Sequence, residues 1–266
     1  MTTSVLDAIM AGARRSASER ARVSRRAVER QAASASPRGA EFVAALARPG
    51  MQIIAECKRR SPSKGVLKRD YDPARIASGY ASAGAAAISV LTEPSFFDGH
   101  LDHLRAVRAA VRVPLLRKDF LASEFQLVEA RAAGADAVLL IVAALEPADL
   151  ASLMAGAARY GLAALVEVHT AGEARIALDH GATLMGVNSR DLQTLAVSLV
   201  AFEQIAPLIP AGVIRVAESG ISTPADIRHA QQLGFDAVLM GERFVVTDDP
   251  GAALRDFSAA TTGAAS

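Results

Sequence analysis

Glu56 and Lys58 lie two residues apart at the end of a short apolar run, and the side-to-side alternation of a strand sends both to the face that carries Ile54. Lys118, in Arg117-Lys118-Asp119-Phe120, closes a second run of this kind and shares its face with Phe120. Glu167, in Val166-Glu167-Val168-His169, closes a third. A lysine on an apolar strand must meet an anion, a ligand or open solvent, because burying its charge unpaired is costly. One such pair would be a structural ion bridge. Two lysines and two glutamates from three runs, all at the C-terminal ends, fit acid and base catalysis better. His169 is read as a rim residue.

Other runs end in residues suited to an anionic ligand. Gly186-Val187-Asn188-Ser189-Arg190 places Asn188 and Arg190 on one parity, and it is followed along the chain by Glu218-Ser219-Gly220 and Met240-Gly241-Glu242. Gly220 and Gly241 would let a ligand approach the backbone closely, where a barrel commonly binds phosphate; for either glycine alone, a simple turn is the alternative. Arg59-Arg60-Ser61-Pro62-Ser63-Lys64-Gly65 is a basic loop able to cover an anion, although alone it reads as a solvated turn. Glu242 sets a carboxylate beside the phosphate, and like charges about 4 Å apart repel by roughly 4 kcal/mol at an effective dielectric of 20. Its side chain must therefore point away, leaving the backbone N–H to face the phosphate.

Eight short apolar runs must position these ends: 51–57, 86–91, 114–120, 137–142, 162–168, 184–188, 213–219 and 235–241. Between them lie alanine-rich stretches such as 123–133, 147–160, 171–180 and 224–233, with apolar residues at helical spacing. Pro147 and Pro224 suit first turns, and Gly134, Gly161, Gly181 and Gly234 suit helix stops. The segments Ala133-Gly134-Ala135-Asp136-Ala137 and Leu233-Gly234-Phe235-Asp236-Ala237 repeat one helix-to-strand turn. This is the pattern of an α/β protein with a (βα)8 TIM barrel, an open doubly wound sheet being the alternative. The 266 residues suit one barrel of roughly 250. The expected organisation is an N-terminal helical extension over 1–48 packed on the barrel, a catalytic barrel over 49–257, and a frayed tail over 258–266.

A net charge of +1 gives no global reason to expect nucleic acid as a partner. The single cysteine rules out an internal disulfide framework and any cysteine metal cluster. Cys57 has the parity opposite to Glu56 and reads as packing against a helix. No apolar run approaches the roughly 18 residues of a membrane span. In the arginine-rich N-terminal stretch, Asp7, Glu19 and Glu29 argue against a transit peptide. That stretch reads as one or two solvated helices with Val5, Leu6 and Ile9 as the buried stripe.

In order and spacing, several segments closely resemble the indole-3-glycerol phosphate synthases, barrel enzymes of tryptophan biosynthesis. They are Ile54-Ala55-Glu56-Cys57-Lys58 with the loop through Gly65, Ser89-Val90-Leu91-Thr92-Glu93, Arg117-Lys118-Asp119-Phe120, Leu165-Val166-Glu167-Val168-His169, Gly186 through Leu192, and Ala217-Glu218-Ser219-Gly220-Ile221. The resemblance spans residues 40–250, is weaker in the N-terminal segment, and meets Glu242 where some relatives carry serine. It implies ring closure of 1-(2-carboxyphenylamino)-1-deoxyribulose 5-phosphate with loss of carbon dioxide and water, and neither metal nor organic cofactor.

Carried over residue by residue, Lys118 resembles the general acid and Glu167 the group that takes or relays a proton in dehydration. Lys58 would hold the anionic substrate and share proton transfer, the acid between Lys58 and Lys118 being left open. Glu56, Asn188, Arg190, Glu218 and Ser219 would position the lysines and the substrate hydroxyls. Ser61, Pro62, Phe97, Phe120, Leu139 and Leu195 would face the substrate ring, with core packing the alternative for each aromatic residue. Ser219, Gly220, Gly241 and Glu242 would face the phosphate. The implied partner is a phosphorylated small molecule, with no nucleic acid and no membrane, in a cytoplasmic monomer or weak homodimer. Two rivals are another phosphate-binding barrel enzyme, of the phosphoribosylanthranilate isomerase or tryptophan synthase alpha-chain type, and a catalytically silent barrel. The set Lys58, Lys118, Glu167 and Asn188 opposes the first; the second would lack an acid or a base, and none is missing.

Overall fold

The computed structural model describes residues 5–36, 38–191 and 194–262. Helices α1 (Val5–Ser34) and α2 (Gly39–Leu46) precede β1 (Gln52–Cys57), and a small hairpin of β2 (Arg60–Ser61) and β3 (Gly65–Val66) leads to α3 (Pro73–Ser82) and β4 (Ala87–Leu91). Next come α4 (Pro94–Phe97), α5 (Leu101–Ala110), β5 (Leu115–Lys118), α6 (Glu124–Ala132), β6 (Ala137–Ile141), α7 (Pro147–Arg159) and β7 (Ala163–Val168). The chain continues through α8 (Ala171–Asp179), β8 (Leu184–Asn188), α9 (Val200–Ile205), β9 (Ile214–Glu218), α10 (Pro224–Gln232) and β10 (Ala237–Met240), then α11 (Glu242–Val245) and α12 (Pro250–Thr262).

Strands β1 and β4 to β10 form a closed parallel barrel. Closure is settled by β1, which pairs with β10 on one side and β4 on the other, so the open-sheet alternative falls. Each expected apolar run contains one barrel strand. Helix starts follow local chemistry: the side chains of Asp72, Thr170 and Thr223 accept N–H groups at the first turns of α3, α8 and α10. Gly134, Gly161, Gly181 and Gly234 adopt the positive φ of helix stops. The repeated Gly-x-Asp turn makes the same bond twice. Asp136 Oδ2 accepts from Leu115 N at 2.9 Å, and Asp236 Oδ2 accepts from Arg215 N at 2.8 Å, each tying a strand start to its neighbour.

Alternation splits the core into two. Inside the barrel, Ile54, Leu116, Leu139, Leu165, Val216 and Leu239 pack together, and Phe42 and Leu46 of α2 join them to plug the base. Outside, Cys57, Val90, Val138, Leu140, Val166 and Val187 pack between strands and helices. Cys57 is fully buried there, with Sγ 3.9 Å from the carbonyl oxygen of Pro73, and burial pushes its thiol pKa up, as a packing residue requires.

Two expectations change. Helix α1 buries Met10, Ala17 and Ala32, whereas Leu6 and Ile9 are half-buried and border the cavity described below; the side chain of Val5 lies outside the described residues. Helix α12 runs on to Thr262, so residues 258–262, expected as a loose tail, are helical, while 263–266 lie outside the described residues.

Candidate active site

The C-terminal strand ends surround a cavity of about 860 Å³. Its walls contain Glu56, Lys58, Ser61, Pro62, Phe97, Lys118, Phe120, Leu139, Glu167, Asn188, Arg190, Leu195, Glu218, Ser219, Gly220, Gly241 and Glu242, so the sequence-derived set converges on one space. Strand register explains the convergence. Leu91 pairs with Lys118, Ile141 with Glu167, and Asn188 with Glu218, which sets the charged ends at neighbouring heights above the apolar plug.

Lys58 Nζ lies 2.5 Å from Glu56 Oε2, and Lys118 Nζ lies 3.7 Å from both Glu56 Oε1 and Glu218 Oε2. Burial alone would lower the pKa of Lys118, but the charges of Glu56, Glu218 and Glu167 outweigh it and hold the ammonium above the ordinary lysine value. Burial likewise opposes ionisation of Glu56, yet Lys58 and Lys118 hold it below the usual carboxylate range. Glu218 goes the other way: burial and the facing charge of Glu167 push its pKa up. Both of its oxygens are buried without a hydrogen bond to a described residue, and Oε2 lies 3.7 Å from the Lys118 ammonium.

Two glycines exist to clear these carboxylates. A Cβ on Gly186 would stand 2.1 Å from Glu218 Oε1, and one on Gly241 would stand 2.7 Å from both Cβ and Oε2 of Glu56. The expected role of Gly241, close approach of a ligand to the main chain, is thus joined by a tighter demand from Glu56. Ser219 takes a left-handed φ of 64° at the strand end, turning the chain into Gly220. The Glu242 carboxylate pairs with Lys64 of the β2–β3 hairpin, and both residues line the cavity. That hairpin region is held further by an Arg59–Asp98 ion pair and by Lys68 Nζ donating to the Thr247 carbonyl at 2.5 Å. Asn188 Oδ1 accepts from Arg190 N at 3.0 Å, and the Arg190 guanidinium donates to the Leu195 carbonyl at 3.1 Å.

Several features escaped the sequence reading. His169, read as a rim residue, is mostly enclosed and contacts Glu167 directly; its shared parity with Glu167 was the signal. Phe96 joins Phe97 in the wall, and Leu6 and Ile9 reach it from α1, a contact no local pattern encodes. Among the described residues no cluster of His, Cys, Asp and Glu could hold a metal ion. What the site can do is move protons in both directions beside anions, in a pit with an apolar floor.

The family description that matches this chain is Indole-3-glycerol phosphate synthase, over residues 6–257. A curated relative of that name from Mycobacteroides abscessus is 50% identical over 258 residues, covering 97% of this chain and 95% of the relative. Another from Rhodococcus jostii is 49% identical over 252 residues, covering 95% and 94%. Among solved structures, thiamine phosphate pyrophosphorylase from Pyrococcus furiosus superposes with a TM-score of 0.60 at 18% identity, covering 81% of this chain and 98% of that one, a likeness of fold alone.

Proposed function

The chain belongs to the indole-3-glycerol phosphate synthase family, and from that premise we propose how its residues divide the reaction. The activity is that of a carboxy-lyase of tryptophan biosynthesis: 1-(2-carboxyphenylamino)-1-deoxyribulose 5-phosphate closes to indole-3-glycerol phosphate with loss of carbon dioxide and water. The observation that carries the division of roles is Lys118, an ammonium held 3.7 Å from each of two buried carboxylates above an apolar layer inside the barrel.

As the ring carbon attacks the ketone, negative charge grows on the carbonyl oxygen. Lys118 donates the proton there. Its raised pKa guarantees the protonated form, and a forming alkoxide is more basic than an amine, so the transfer runs downhill. Loss of carbon dioxide restores aromaticity; in the dehydration the hydroxyl leaves as water with a proton from an ammonium of the Lys58–Lys118 pair, while Glu167, held ionised, takes the proton from the adjacent carbon. Lys58 pairs with the substrate carboxylate, while Glu56 keeps both ammonium groups charged. Glu218 and Asn188 meet substrate hydroxyls, and Arg190 positions the loop that carries Leu195. Phe97, Phe120, Ser61, Pro62, Leu139 and Leu195 press the anthranilate ring toward the carbonyl. Ser219, Gly220, Gly241 and the backbone of Glu242 receive the phosphate.

We read residues 1–48 as an extension of a single catalytic barrel, in a cytoplasmic monomer or weak homodimer; sedimentation velocity decides the oligomeric state. No helix among the described residues is long and apolar enough to cross a membrane. Adding the synthetic substrate to purified protein and following indole absorbance tests the activity. Folded protein that gives no absorbance rise overturns the reading.

A further inference from the structure

At the end of β7, His169 lies between two carboxylates. Its Nε2 is 3.3 Å from Glu167 Oε1 and its Nδ1 is 3.2 Å from Glu173 Oε2, while its backbone N–H donates to that same Glu173 oxygen at 2.8 Å. Glu173 is itself fixed at the start of α8. Its N–H donates to Thr170 Oγ1 at 3.2 Å, and the Thr170 hydroxyl donates to its carboxylate at 3.1 Å, a local cap that leaves the second oxygen for His169. The imidazole is only 11% exposed. With a carboxylate oxygen within 3.3 Å of each ring nitrogen, the imidazole is held as the cation.

The groups around Glu167 pull in opposite directions. Lys118 from β5, Asn188 from β8 and His169 favour its ionised form, whereas burial and Glu218 from β9 oppose it, with Glu56 from β1 adding to the negative field on Glu218. Two carboxyls in one enclosed site do not both ionise freely. Burial would raise Glu167, but the adjacent His169 imidazolium and the charge of Lys118 hold it below the carboxylate range, leaving Glu218 as the member pushed up. Burial would lower His169, yet Glu167 and Glu173 raise it to about 10.

We propose that His169, anchored by Glu173, is a positioning residue that decides which of two neighbouring carboxyls is ionised, keeping the charge on Glu167 and the proton on Glu218. The inference rests on Glu167 being the working carboxylate. A protonated Glu218 then offers an O–H to a substrate hydroxyl, and Glu56 remains to balance Lys118.

Two variants of the full chain test it, His169→Asn, which removes the cation, and Glu173→Gln, which keeps the cap geometry and removes the anchoring charge. Loss of the cation should move the acid limb of the kcat profile upward by about 1–3 pH units and lower kcat near neutrality by about tenfold or more, with KM changed much less. Glu173→Gln should shift the limb the same way by less, and it carries the test alone if His169→Asn fails to fold. In an NMR titration of the five imidazoles, the signal missing from His169→Asn should remain protonated above pH 8. An acid limb that stays put in both variants, or a His169 imidazole titrating near the ordinary value of about 6.5, overturns the proposal. A Glu167→Gln enzyme with wild-type kcat is a separate failure, that of the functional reading itself.

Discussion

Replacing Gly241 by alanine adds one methyl group at the tightest point of the charged layer. The new Cβ would lie 2.7 Å from both Cβ and Oε2 of Glu56 and 3.1 Å from the Glu56 carbonyl oxygen. The backbone cannot yield easily, because β1 and β10 are paired residue by residue up to Ala55 and Met240, just below the contact. The φ of Gly241, −142°, lies outside the left-handed region that favours glycine, so the contact with Glu56 is the first obstacle to a side chain here. Glu56 must therefore swing. Moving it from 3.7 Å to about 4.7 Å from the Lys118 ammonium weakens their attraction by ~1 kcal/mol at an effective dielectric of 20, about fivefold in an equilibrium. Misplacement of a catalytic array by about 1 Å costs up to ~100-fold in rate, so kcat should fall by about 10- to 100-fold. The matched control is Glu242→Ser, which removes only a partly exposed ion pair with Lys64, worth about 0–1 kcal/mol, and should change KM by less than about fivefold. Steady-state constants from indole absorbance, with melting curves to confirm folding, decide the matter. If Gly241→Ala raises KM while kcat stays at the wild-type value, the methyl meets the phosphate and not Glu56, and the reasoning fails.

Lys118→Met should lower kcat by about 10² to 10⁴-fold with the fold intact, since methionine keeps the stem and removes the acid; retention of more than about a third of wild-type kcat would falsify its role as acid. Activity should survive prolonged treatment with a chelator, because no metal-ligand cluster exists among the described residues; loss on chelation with recovery on adding a divalent ion would contradict this. Cys57 should stay unmodified by a thiol reagent at pH 8 in the native protein and react stoichiometrically once unfolded, since burial both hides it and raises its pKa. Rapid modification of the folded protein would mean that the β1–α3 contact opens.

The barrel was legible because the strands carry local evidence: short apolar runs, most of whose polar residues collect at the C-terminal ends, with prolines and glycines at several helix boundaries. Parity alone assigned Glu56 and Lys58 to the interior and Cys57 to the outer layer, and the structure agrees for all three. His169 shows the limit of that approach. Its parity pointed inward with Glu167, but its partner Glu173 lies on the following helix, and whether a residue just beyond a strand points at the rim or at its neighbour depends on that partner. Gly241 shows another limit. A glycine beside a strand end is explained equally well by a ligand or by a neighbouring side chain, and only strand register shows that the neighbour is Glu56. Leu6 and Ile9 reach the cavity through the docking angle of a 30-residue helix, set by contacts about a hundred residues away in sequence.

Those contacts bear on the chemistry through β5. Lys118 faces the cavity, and Arg117, one residue earlier, faces outward with its side chain only 1% exposed. Its guanidinium donates to Thr92 Oγ1 at 3.2 Å, to Asp119 Oδ2 at 2.8 Å and to the Gln126 carbonyl at 2.8 Å, and it lies 3.7 Å from Glu129. Removing one partner from a buried charge set of this kind costs about 3–5 kcal/mol, so the arginine fixes its strand firmly. Glu129 is shared: Arg20 of α1 donates to its two oxygens at 2.6 and 2.9 Å. The N-terminal helix is thus tied to the outer face of the strand whose inner face carries Lys118. The alternation sends Arg117, which pairs with Asp119, behind the barrel wall and the Lys118 ammonium inward. The position of Lys118 therefore depends on packing behind the barrel wall as much as on the carboxylates in front of it.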